Sequence, residues 1–364
     1  MNTTTPAVQV RQLCKNYGSV QALKGVDLSI AAGEYFVLLG PSGGGKTTLL
    51  RTIGGFHKPS SGQVWLNGQE VSHLPPDKRP TSMVFQAYAL FPHMTVLGNV
   101  GYGLSLAKLP KAEVRDKSMA MLEMVGLSGY ENRRPHELSG GQQQRVQLAR
   151  ALVLGRNILL LDEPLAALDA QLRKDMCLEL KHLQEKVGIT FIHVTHNQEE
   201  AMTVADRIAL IADGELVEQG AARDIYRTPQ RRFTASFVGE NNLLSGTVTA
   251  VEGDTVTVEV CGQPLAVDRR DLPVRAGETV ALSIRSELVE MVSADGTAAA
   301  DGCSLSGTYA ESVYLGLTLS HRAALADRTE IVSRVVGESD APDPAPGTAI
   351  RVQWKPGALR LHVN

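Results

Sequence analysis

The sequence predicts an α/β domain with a parallel-sheet core, followed by a smaller all-β domain. Two observations predict this fold class. Short apolar runs alternate with helical patterns over residues 1–240, whereas residues 241–364 are rich in Val and Thr with alternating polarity. The length of 364 residues fits two or three domains of roughly 150 residues each. We therefore predict a domain boundary between residues 240 and 241.

Composition and charge exclude several classes of protein. Hydrophobic residues make up 43% of the chain and charged residues 21%, which excludes wholesale disorder. The formal net charge is −3, so we expect no nucleic acid partner. The chain has neither a run of 18 apolar residues nor a signal-peptide pattern at its start, and we expect it not to span a bilayer. Its four cysteines lie too far apart in the sequence to suggest a disulfide or zinc framework.

Buried strands and amphipathic helices alternate in the first domain. Apolar runs at Tyr35–Leu39, Ile158–Leu161 and Ile189–Val194 predict strands. Apolar residues between Leu172 and Val187 recur at spacings of three and four, which predicts a helix with one buried face. Strands that alternate with helices indicate a largely parallel sheet.

A glycine-rich loop is the strongest local motif. Residues 40–47 read GPSGGGKT, between the strand that ends at Leu39 and a helical run over Thr48–Ile53. In such a loop backbone N–H groups point at phosphate oxygens, and the helix adds its positive end. Lys46 can reach the β- and γ-phosphates, and Thr47 can offer its hydroxyl to Mg²⁺. The predicted phosphate-binding residues are Gly40, Pro41, Ser42, Gly43, Gly44, Gly45, Lys46, Thr47 and Thr48.

Two carboxylates follow a second predicted strand. Asp162 and Glu163 stand where the apolar run Ile158–Leu161 ends. Asp162 is placed to hold Mg²⁺, and Glu163 is placed to polarise an attacking water. An acidic pair after a strand is by itself more often a helix cap, but together with the upstream loop it favours a nucleotide site.

A second candidate anion-binding helix start lies between these two motifs. The sequence Leu138-Ser139-Gly140-Gly141-Gln142 precedes a helical run over residues 143–152. Two such helix starts, roughly 90 residues apart in one domain, favour two copies of the chain that sandwich one nucleotide.

With these motifs the sequence resembles the ATP-binding subunits of ABC transporters. Residues 138–142 are identical to the signature of that family, and further elements follow in the family's order. The resemblance implies an ABC-type P-loop NTPase fold with a helical signature subdomain over about residues 88–157. It also implies ATP and Mg²⁺ as cofactors and hydrolysis that depends on closure of a homodimer.

The resemblance assigns roles to individual residues. Tyr17 matches the aromatic side chain that stacks on adenine, and Asp169 belongs to the D-loop that crosses the dimer interface. Gln86 matches the glutamine that senses Mg²⁺ and water, and His196 matches the histidine that contacts the γ-phosphate. The nearby His193 is left out of the site, as a polar residue satisfied within the fold.

Three overlapping groups of residues result from these assignments. The implied catalytic residues are Glu163, His196, Lys46 and Gln86. The implied Mg²⁺ ligands are Thr47, Gln86 and Asp162. The nucleotide is also expected to contact Tyr17, Asp169 and the signature residues Ser139, Gly140, Gly141 and Gln142 of the partner copy.

The tail predicts a β module. Residues 245–251 and 255–260 alternate in polarity around the turn Glu252–Asp254, which indicates a hairpin, and further strands are expected over residues 304–336 and 350–363. Residues 293–302 and 337–347 are predicted to be loops. The tail resembles the TOBE module, an OB-like fold that is appended to importer ATPases.

Partners and cargo follow from the resemblance alone. It implies two integral membrane permease subunits, an extracytoplasmic solute-binding protein and a peripheral location at the cytoplasmic face of the cell membrane. Residues 88–96 match the segment that receives a coupling helix of the permease, although a core-packing loop is the alternative. Gly98 departs from the acidic residue expected there and leaves the coupling detail open.

The sequence is most similar to spermidine/putrescine importer ATPases, so a polyamine is the expected cargo. Iron(III), sugar or aminoethylphosphonate import are alternatives with the same ATPase role. A different class of function is also open, either an ABC ATPase that acts on translation or DNA, or a regulatory binding module.

Overall fold

The computed structural model describes residues 5–87, 89–295, 303–337 and 344–363. Tyr88 and parts of the predicted loops over residues 293–302 and 337–347 therefore lie outside the described residues. Contacts divide the chain into two compact units, residues 1–222 and 223–364. This division groups residues 223–240 with the second unit, whereas the sequence predicted them in the first domain.

The first unit contains two sheets and six α-helices among its described residues. Its strands are β1 (Val8–Tyr17), β2 (Val20–Ile30), β3 (Tyr35–Leu39), β4 (Ser61–Leu66), β5 (Gln69–Glu70), β6 (Thr81–Val84), β7 (Ile158–Asp162), β8 (Thr190–Thr195), β9 (Arg207–Ala212) and β10 (Glu215–Ala221). Its helices are α1 (Lys46–Ile53), α2 (Val96–Leu106), α3 (Lys111–Met124), α4 (Gly140–Leu152), α5 (Ala170–Val187) and α6 (Gln198–Val204).

The larger sheet has the strand order β10-β9-β3-β8-β7-β6. Within this order, β9, β3, β8, β7 and β6 are parallel to one another. Strand β10 pairs with β9 at the edge of the sheet in the antiparallel direction. Every residue of β3, β7 and β8 is buried, because helices and the second sheet cover a parallel sheet on both faces. This burial explains why these strands are continuous apolar runs in the sequence, and it confirms the predicted parallel core.

The smaller sheet has the order β2-β1-β4-β5 and is antiparallel. Side chains from both sheets and from α1 share one hydrophobic core. Sequence patterning did not predict this sheet. The pairing of β1 with β2 is interrupted by register shifts, and Gln12 in β1 has a positive φ of 45°, so the alternation that marks a strand is broken.

The strand order determines where the loops meet. Because β3, β8, β7 and β6 are neighbours and parallel, the segments that follow them emerge side by side at one edge of the sheet. The glycine-rich loop and the residues after β6, β7 and β8 therefore share this edge.

Helices α2, α3 and α4 surround a separate hydrophobic cluster within the first unit, which includes Val100, Leu122 and Val146. All three helices fall within residues 88–157, where the helical subdomain is expected. No helix in the described part of the chain is both long and apolar enough to cross a membrane.

Two short helices precede the strands of the second unit, and the first of them begins at Ala222, the last residue of the first unit. Its helices are α7 (Ala222–Arg227) and α8 (Arg232–Phe237). Its strands are β11 (Asn241–Glu252), β12 (Thr255–Val260), β13 (Gln263–Asp268), β14 (Thr279–Arg285), β15 (Glu290–Ser293), β16 (Ser304–Tyr314), β17 (Thr318–Ala324), β18 (Glu330–Val336), β19 (Ala349–Gln353) and β20 (Arg360–His362).

These strands form two antiparallel sheets of five, in the orders β13-β12-β11-β14-β20 and β15-β19-β16-β17-β18. The pairing of Glu252 with Thr255 closes a hairpin between β11 and β12, as the alternation predicted. Apolar side chains from both sheets form one core, so the all-β prediction for the tail is confirmed.

Candidate active site

The glycine-rich loop is held tightly against neighbouring backbone. A Cβ on Gly40, whose φ is 151°, would lie 2.0 Å from the carbonyl oxygen of Ile211 in β9. A Cβ on Gly45, whose φ is 104°, would lie 2.7 Å from the carbonyl oxygen of Ala22. These two positions therefore require glycine. Gly45 precedes α1 without a side-chain cap, and no acidic residue lies in the first helical turn, so the positive end of the helix can attract an anion.

Lys46 occupies the inside of this loop. Its side chain is buried, and Nζ donates to the carbonyl oxygens of Gly40 at 2.8 Å and Pro41 at 2.7 Å. Burial lowers the pKa of this ammonium, while the carboxylate of Glu163 acts to raise the pKa. A phosphate that binds the loop can replace these carbonyl oxygens as the acceptor for Lys46.

Thr47 and Asp162 form a pair of oxygen donors beside the loop. The Thr47 hydroxyl donates to Asp162 Oδ1 at 3.1 Å. Arg51 pairs with the other carboxylate oxygen at 3.1 Å. Hydroxyl and carboxylate oxygens are the ligands that Mg²⁺ prefers, so this pair fits the metal that the sequence implied. Arg51 was missed by sequence reasoning, although its position four residues after Thr47 places it on the same face of α1.

Glu163 follows β7, and its side chain lies near side chains that follow β6 and β8. Its carboxylate lies 3.4 Å from His196 Nδ1, after β8, and 3.5 Å from Gln86 Nε2, after β6. The residue has a φ of 47°, in the left-handed region that side chains rarely adopt, and its N–H donates to the Val194 carbonyl at 3.1 Å. Such a conformation persists only where the surroundings hold it, and it directs this carboxylate between the other two side chains.

His193 lies in the core behind this edge. Its side chain is fully buried, and Nδ1 shares a hydrogen bond with the Tyr35 hydroxyl at 3.1 Å. Burial lowers the pKa of His193 to about 3, so the ring is neutral near pH 7. Only Nδ1 fits the prediction of a residue satisfied within the fold, because the buried Nε2 has no hydrogen-bond partner among the described residues.

The signature residues stand at the start of α4. Ser139 caps α4 through a reciprocal pair of hydrogen bonds with Gln142, at 3.0 and 3.4 Å. Among the described residues, no hydrogen bond or ion pair joins residues 139–142 to the glycine-rich loop. The exposed Asp169 caps α5, and its Oδ1 accepts from the Leu172 N–H at 2.9 Å.

Tyr17 lies at the end of β1 in the antiparallel sheet. Its side chain is 44% exposed, the Lys15 ammonium lies 4.9 Å from its ring centroid, and the His57 ring packs edge-on at 5.7 Å. This partial exposure of the side chain suits the stacking role implied by the sequence.

Side chains from α4 hold the segment that contains Gln86. Gln147 is buried, and its Nε2 donates to the carbonyl oxygens of Phe85 at 3.0 Å and Ala87 at 3.2 Å. Arg150 donates to the Ala89 carbonyl at 2.8 Å. Sequence reasoning missed both residues, because these contacts join positions about 60 residues apart and leave no local pattern.

A groove of about 910 Å³ adjoins this segment. Its lining includes aromatic and apolar side chains from the loop after β6 and from α2, among them Phe85, Phe91, Tyr102 and Leu104. The buried Asn99 fixes the loop, since its side chain accepts from the Phe91 N–H at 2.8 Å and donates to the Thr95 carbonyl at 3.0 Å. The segment predicted to receive a permease helix therefore borders an open apolar groove.

Comparison with known proteins identifies two matching family models. Residues 23–166 match the family described as ABC transporter, and residues 282–361 match the TOBE domain. The spermidine/putrescine import ATP-binding protein PotA of Roseobacter denitrificans is 46% identical over 365 residues, which are 98% of this chain and 98% of that protein. The protein of the same description from Marinobacter nauticus is 43% identical over 353 residues, with 96% and 93% of the two chains covered.

Two solved structures resemble the first part of the chain. The protein cbiO1 of Clostridium perfringens, described as part of the ABC transporter complex cbiONQ, has a TM-score of 0.57 and 30% identity, and the match covers 61% of this chain and 90% of that one. The ATP-binding cassette MJ0796, solved as a dimer bound to ADP and Pi, has a TM-score of 0.53 and 35% identity, with 59% and 99% covered.

Proposed function

The chain belongs to the family of ABC transporter ATP-binding proteins, and from this premise we propose that it powers import of a polyamine, spermidine or putrescine, through separate permease subunits. The observation that carries the ATPase role is the position of Glu163, whose carboxylate contacts both Gln86 and His196. The cargo is supported by relatives named for spermidine/putrescine import that are 43–46% identical over nearly the whole chain.

The geometry supports separate roles for Lys46, Glu163 and His196 in ATP hydrolysis. Lys46 and the N-terminus of α1 bind the phosphates, and Glu163 orients the attacking water. His196, beside Glu163, is placed to hold the γ-phosphate. The Lys46 ammonium and the backbone N–H groups of the loop, which are already in place, then stabilise the negative charge that spreads over the phosphate oxygens.

Thr47 and Asp162 would hold Mg²⁺, with Gln86 as a further oxygen donor. When bound, the metal supplies positive charge that neutralises the phosphate oxygens. Arg51 forms an ion pair with Asp162 in this structure, and we propose that it holds this carboxylate in place for the metal.

The site is completed by a second copy of the chain. Ser139 at the start of α4 is exposed, and within the described residues it shares no hydrogen bond or ion pair with the glycine-rich loop of its own chain; the dimeric cassette MJ0796 resembles this unit. We therefore propose that the start of α4 in one copy faces the loop of the other, so that ATP closes the dimer.

The groove beside Phe91 is the proposed docking place for a helix of a permease subunit. Apolar and aromatic side chains line it, and Asn99 holds its rim rigid. Such docking places the chain at the cytoplasmic face of the cell membrane, as a peripheral subunit that works with two permeases and an extracytoplasmic binding protein.

An uptake measurement tests the cargo. Cells that lack the gene receive either the wild-type chain or the Lys46→Ala variant, and entry of radiolabelled spermidine and putrescine is followed. We expect uptake to return with the wild type and to stay at the level of the deletion strain with the variant. If uptake of iron(III), a sugar or aminoethylphosphonate depends on the wild-type chain while polyamine uptake does not, the proposed cargo is wrong.

A second measurement tests the class of function. The tagged chain is isolated from detergent extracts, and we expect two integral membrane proteins to accompany it. Sedimentation with ribosomes that is lost after nuclease treatment, without such membrane partners, would contradict the transport function.

A further inference from the structure

Arg173 connects two loops of the candidate active site. It lies in the first turn of α5, and its Nη2 donates to the carbonyl oxygen of Leu168 at 2.7 Å. Its Nε lies 3.5 Å from Glu200 Oε1 on α6. One side chain thus touches both the D-loop before α5 and the helix that follows His196.

Glu200 carries the connection on to the loop that contains His196. Its second carboxylate oxygen accepts a hydrogen bond from the Thr195 hydroxyl at 2.6 Å. The Thr195 hydroxyl in turn accepts from the N–H of Asn197 at 2.9 Å. These two bonds link Glu200 to the residues on both sides of His196.

Arg173 is one of the groups that favour the charged form of Glu200. Glu200 is buried, and burial raises the pKa of its carboxyl group, as does the nearby Glu163, whereas the Thr195 hydroxyl, Arg173 and His196 lower that pKa. His193 Nε2 lies 3.7 Å away, but the ring is neutral because its pKa is about 3. Among the described residues, Arg173 is therefore the permanently charged cation within 4 Å of this carboxylate.

Two features of Arg173 are not explained by local stability. A cation in the first turn of a helix opposes the helix dipole, so α5 alone would favour an uncharged or acidic residue there. The Arg173 Nε–H is buried and has no hydrogen-bond acceptor in the part of the chain that the structure describes, although Glu200 is near. A small movement of α5 relative to α6 would give this donor its acceptor and remove the cost of leaving it unpaired.

We propose that Arg173 is a positioning residue. Through it, closure of the dimer interface at the D-loop repositions His196 of the same chain. This inference rests on the proposed function, since it requires the D-loop to meet a second copy. Movement of the Leu168 carbonyl displaces the Arg173 guanidinium, which carries Glu200 and thereby the loop around His196. Closure of the dimer interface at the D-loop and the contact of His196 with the γ-phosphate then occur together.

Steady-state ATP hydrolysis of the full-length chain tests the proposal. We expect Arg173→Ala to lower kcat at least about tenfold and to leave KM within about twofold, because positioning acts on the transition state rather than on binding. Lys174→Ala removes the same charge from the exposed neighbouring residue, and we expect it to behave as wild type.

Two further variants separate positioning from a purely structural role. Glu200→Gln removes the charge, but its side chain can still accept a hydrogen bond from Thr195. We expect the Arg173→Ala/Glu200→Gln double variant to be as active as the less active of the two single variants. In a Glu163→Gln background, Arg173→Ala should still form the ATP-dependent dimer, because assembly does not require the connection. Arg173→Gln, which can still donate to the Leu168 carbonyl, replaces Arg173→Ala if the alanine variant fails to fold.

The outcomes distinguish this inference from the proposed function. Additive losses in the double variant, or a raised KM with unchanged kcat, would overturn the role of Arg173. If the wild type forms no dimer and hydrolyses no ATP, the proposed function fails instead.

Discussion

At the scale of single residues, the candidate site depends on charged groups that are partly removed from water. Lys46 is buried inside the loop that it serves, and Asp162 is buried between Thr47 and Arg51. Charges with few competing waters interact more strongly with a phosphate than exposed charges do. The same burial makes the loss of one such group costly.

Lys46→Ala should weaken ATP binding at least about tenfold, because it removes a charge-assisted hydrogen bond to the phosphates. Isothermal titration calorimetry with ATP measures this loss. Lys111→Ala, which removes an exposed ammonium at the start of α3, serves as the control and should bind as wild type does. Equal affinity of the Lys46→Ala variant and the wild type would contradict the assignment of the loop.

His193 makes stability depend on pH. Its folded-state pKa of about 3 lies below the ordinary value of 6.5, so the unfolded chain binds more protons between these pH values. The stabilising contribution is complete above about pH 6.5 and is lost as the pH falls. At pH 5 the loss is about 2 kcal/mol.

The expected result is that wild-type stability falls more steeply from pH 7 to pH 5 than the stability of a His193→Gln variant. Gln cannot take up a proton but can still accept from the Tyr35 hydroxyl. Chemical denaturation at each pH gives both curves, and parallel curves would show that His193 does not titrate on unfolding.

At the scale of elements, helix starts and strand ends place the functional groups. The ends of β6, β7 and β8 bring Gln86, Glu163 and His196 together. Helix α4 positions Gln86, since the Gln147 side chain on α4 donates to the backbone carbonyl oxygens on both sides of Gln86. Elements that are distant in sequence thus position one site.

Gln147→Ala should lower kcat roughly ten- to a hundredfold, because the backbone around Gln86 loses two of its hydrogen bonds and the amide moves. Gln171→Ala, at an exposed position in the first turn of α5, is the matched control. Steady-state ATPase assays of both variants compare the effects. A Gln147→Ala variant as active as the control would show that α4 does not position Gln86.

Gly98 occupies the third position of α2, where its N–H donates to the Thr95 side chain at 3.1 Å. Gly98→Glu should raise stability by about 1 kcal/mol, because Glu has a higher helix propensity, completes a capping box with Thr95 and complements the helix dipole. An added Cβ would meet Thr95 Oγ1 at 3.3 Å, a contact that a slight shift relieves.

Thermal unfolding of wild type, Gly98→Ala and Gly98→Glu separates these causes. The alanine variant reports the gain in propensity alone, and the glutamate variant adds the charge and the cap. A glutamate variant less stable than the alanine variant would contradict the capping argument.

At the scale of the whole molecule, the proposed active site requires two chains. Ser139 at the start of α4 is exposed, and in the part of the chain that the structure describes no hydrogen bond or ion pair links it to the glycine-rich loop. Association through a bound nucleotide would make hydrolysis depend on closing and opening of the dimer, which can drive a membrane partner.

Glu163→Gln should abolish turnover while ATP still binds, and the chain should then accumulate as an ATP-bound dimer. Light scattering should give twice the 39.1 kDa of one chain with ATP and a single mass without it. The Lys46→Ala/Glu163→Gln double variant should stay monomeric, since it binds ATP poorly. A monomer under all conditions would contradict the two-chain site.

The sequence by itself determined the parallel core, the glycine-rich loop, the acidic pair Asp162–Glu163 and the β-rich tail. These features are local. A strand buried on both faces must be a continuous apolar run, and a loop that passes close to other backbone must use glycine. Each therefore leaves a pattern within a few consecutive residues.

Only the tertiary structure decided which distant side chains meet. The pairs Arg51–Asp162 and Gln147–Phe85 join residues about 110 and 60 positions apart, and the Arg173–Glu200 contact joins two separate helices. The antiparallel sheet of β1, β2, β4 and β5 was likewise found only in the structure. Such contacts depend on strand order and helix packing, which bring together segments whose own sequences carry no mark of the partner.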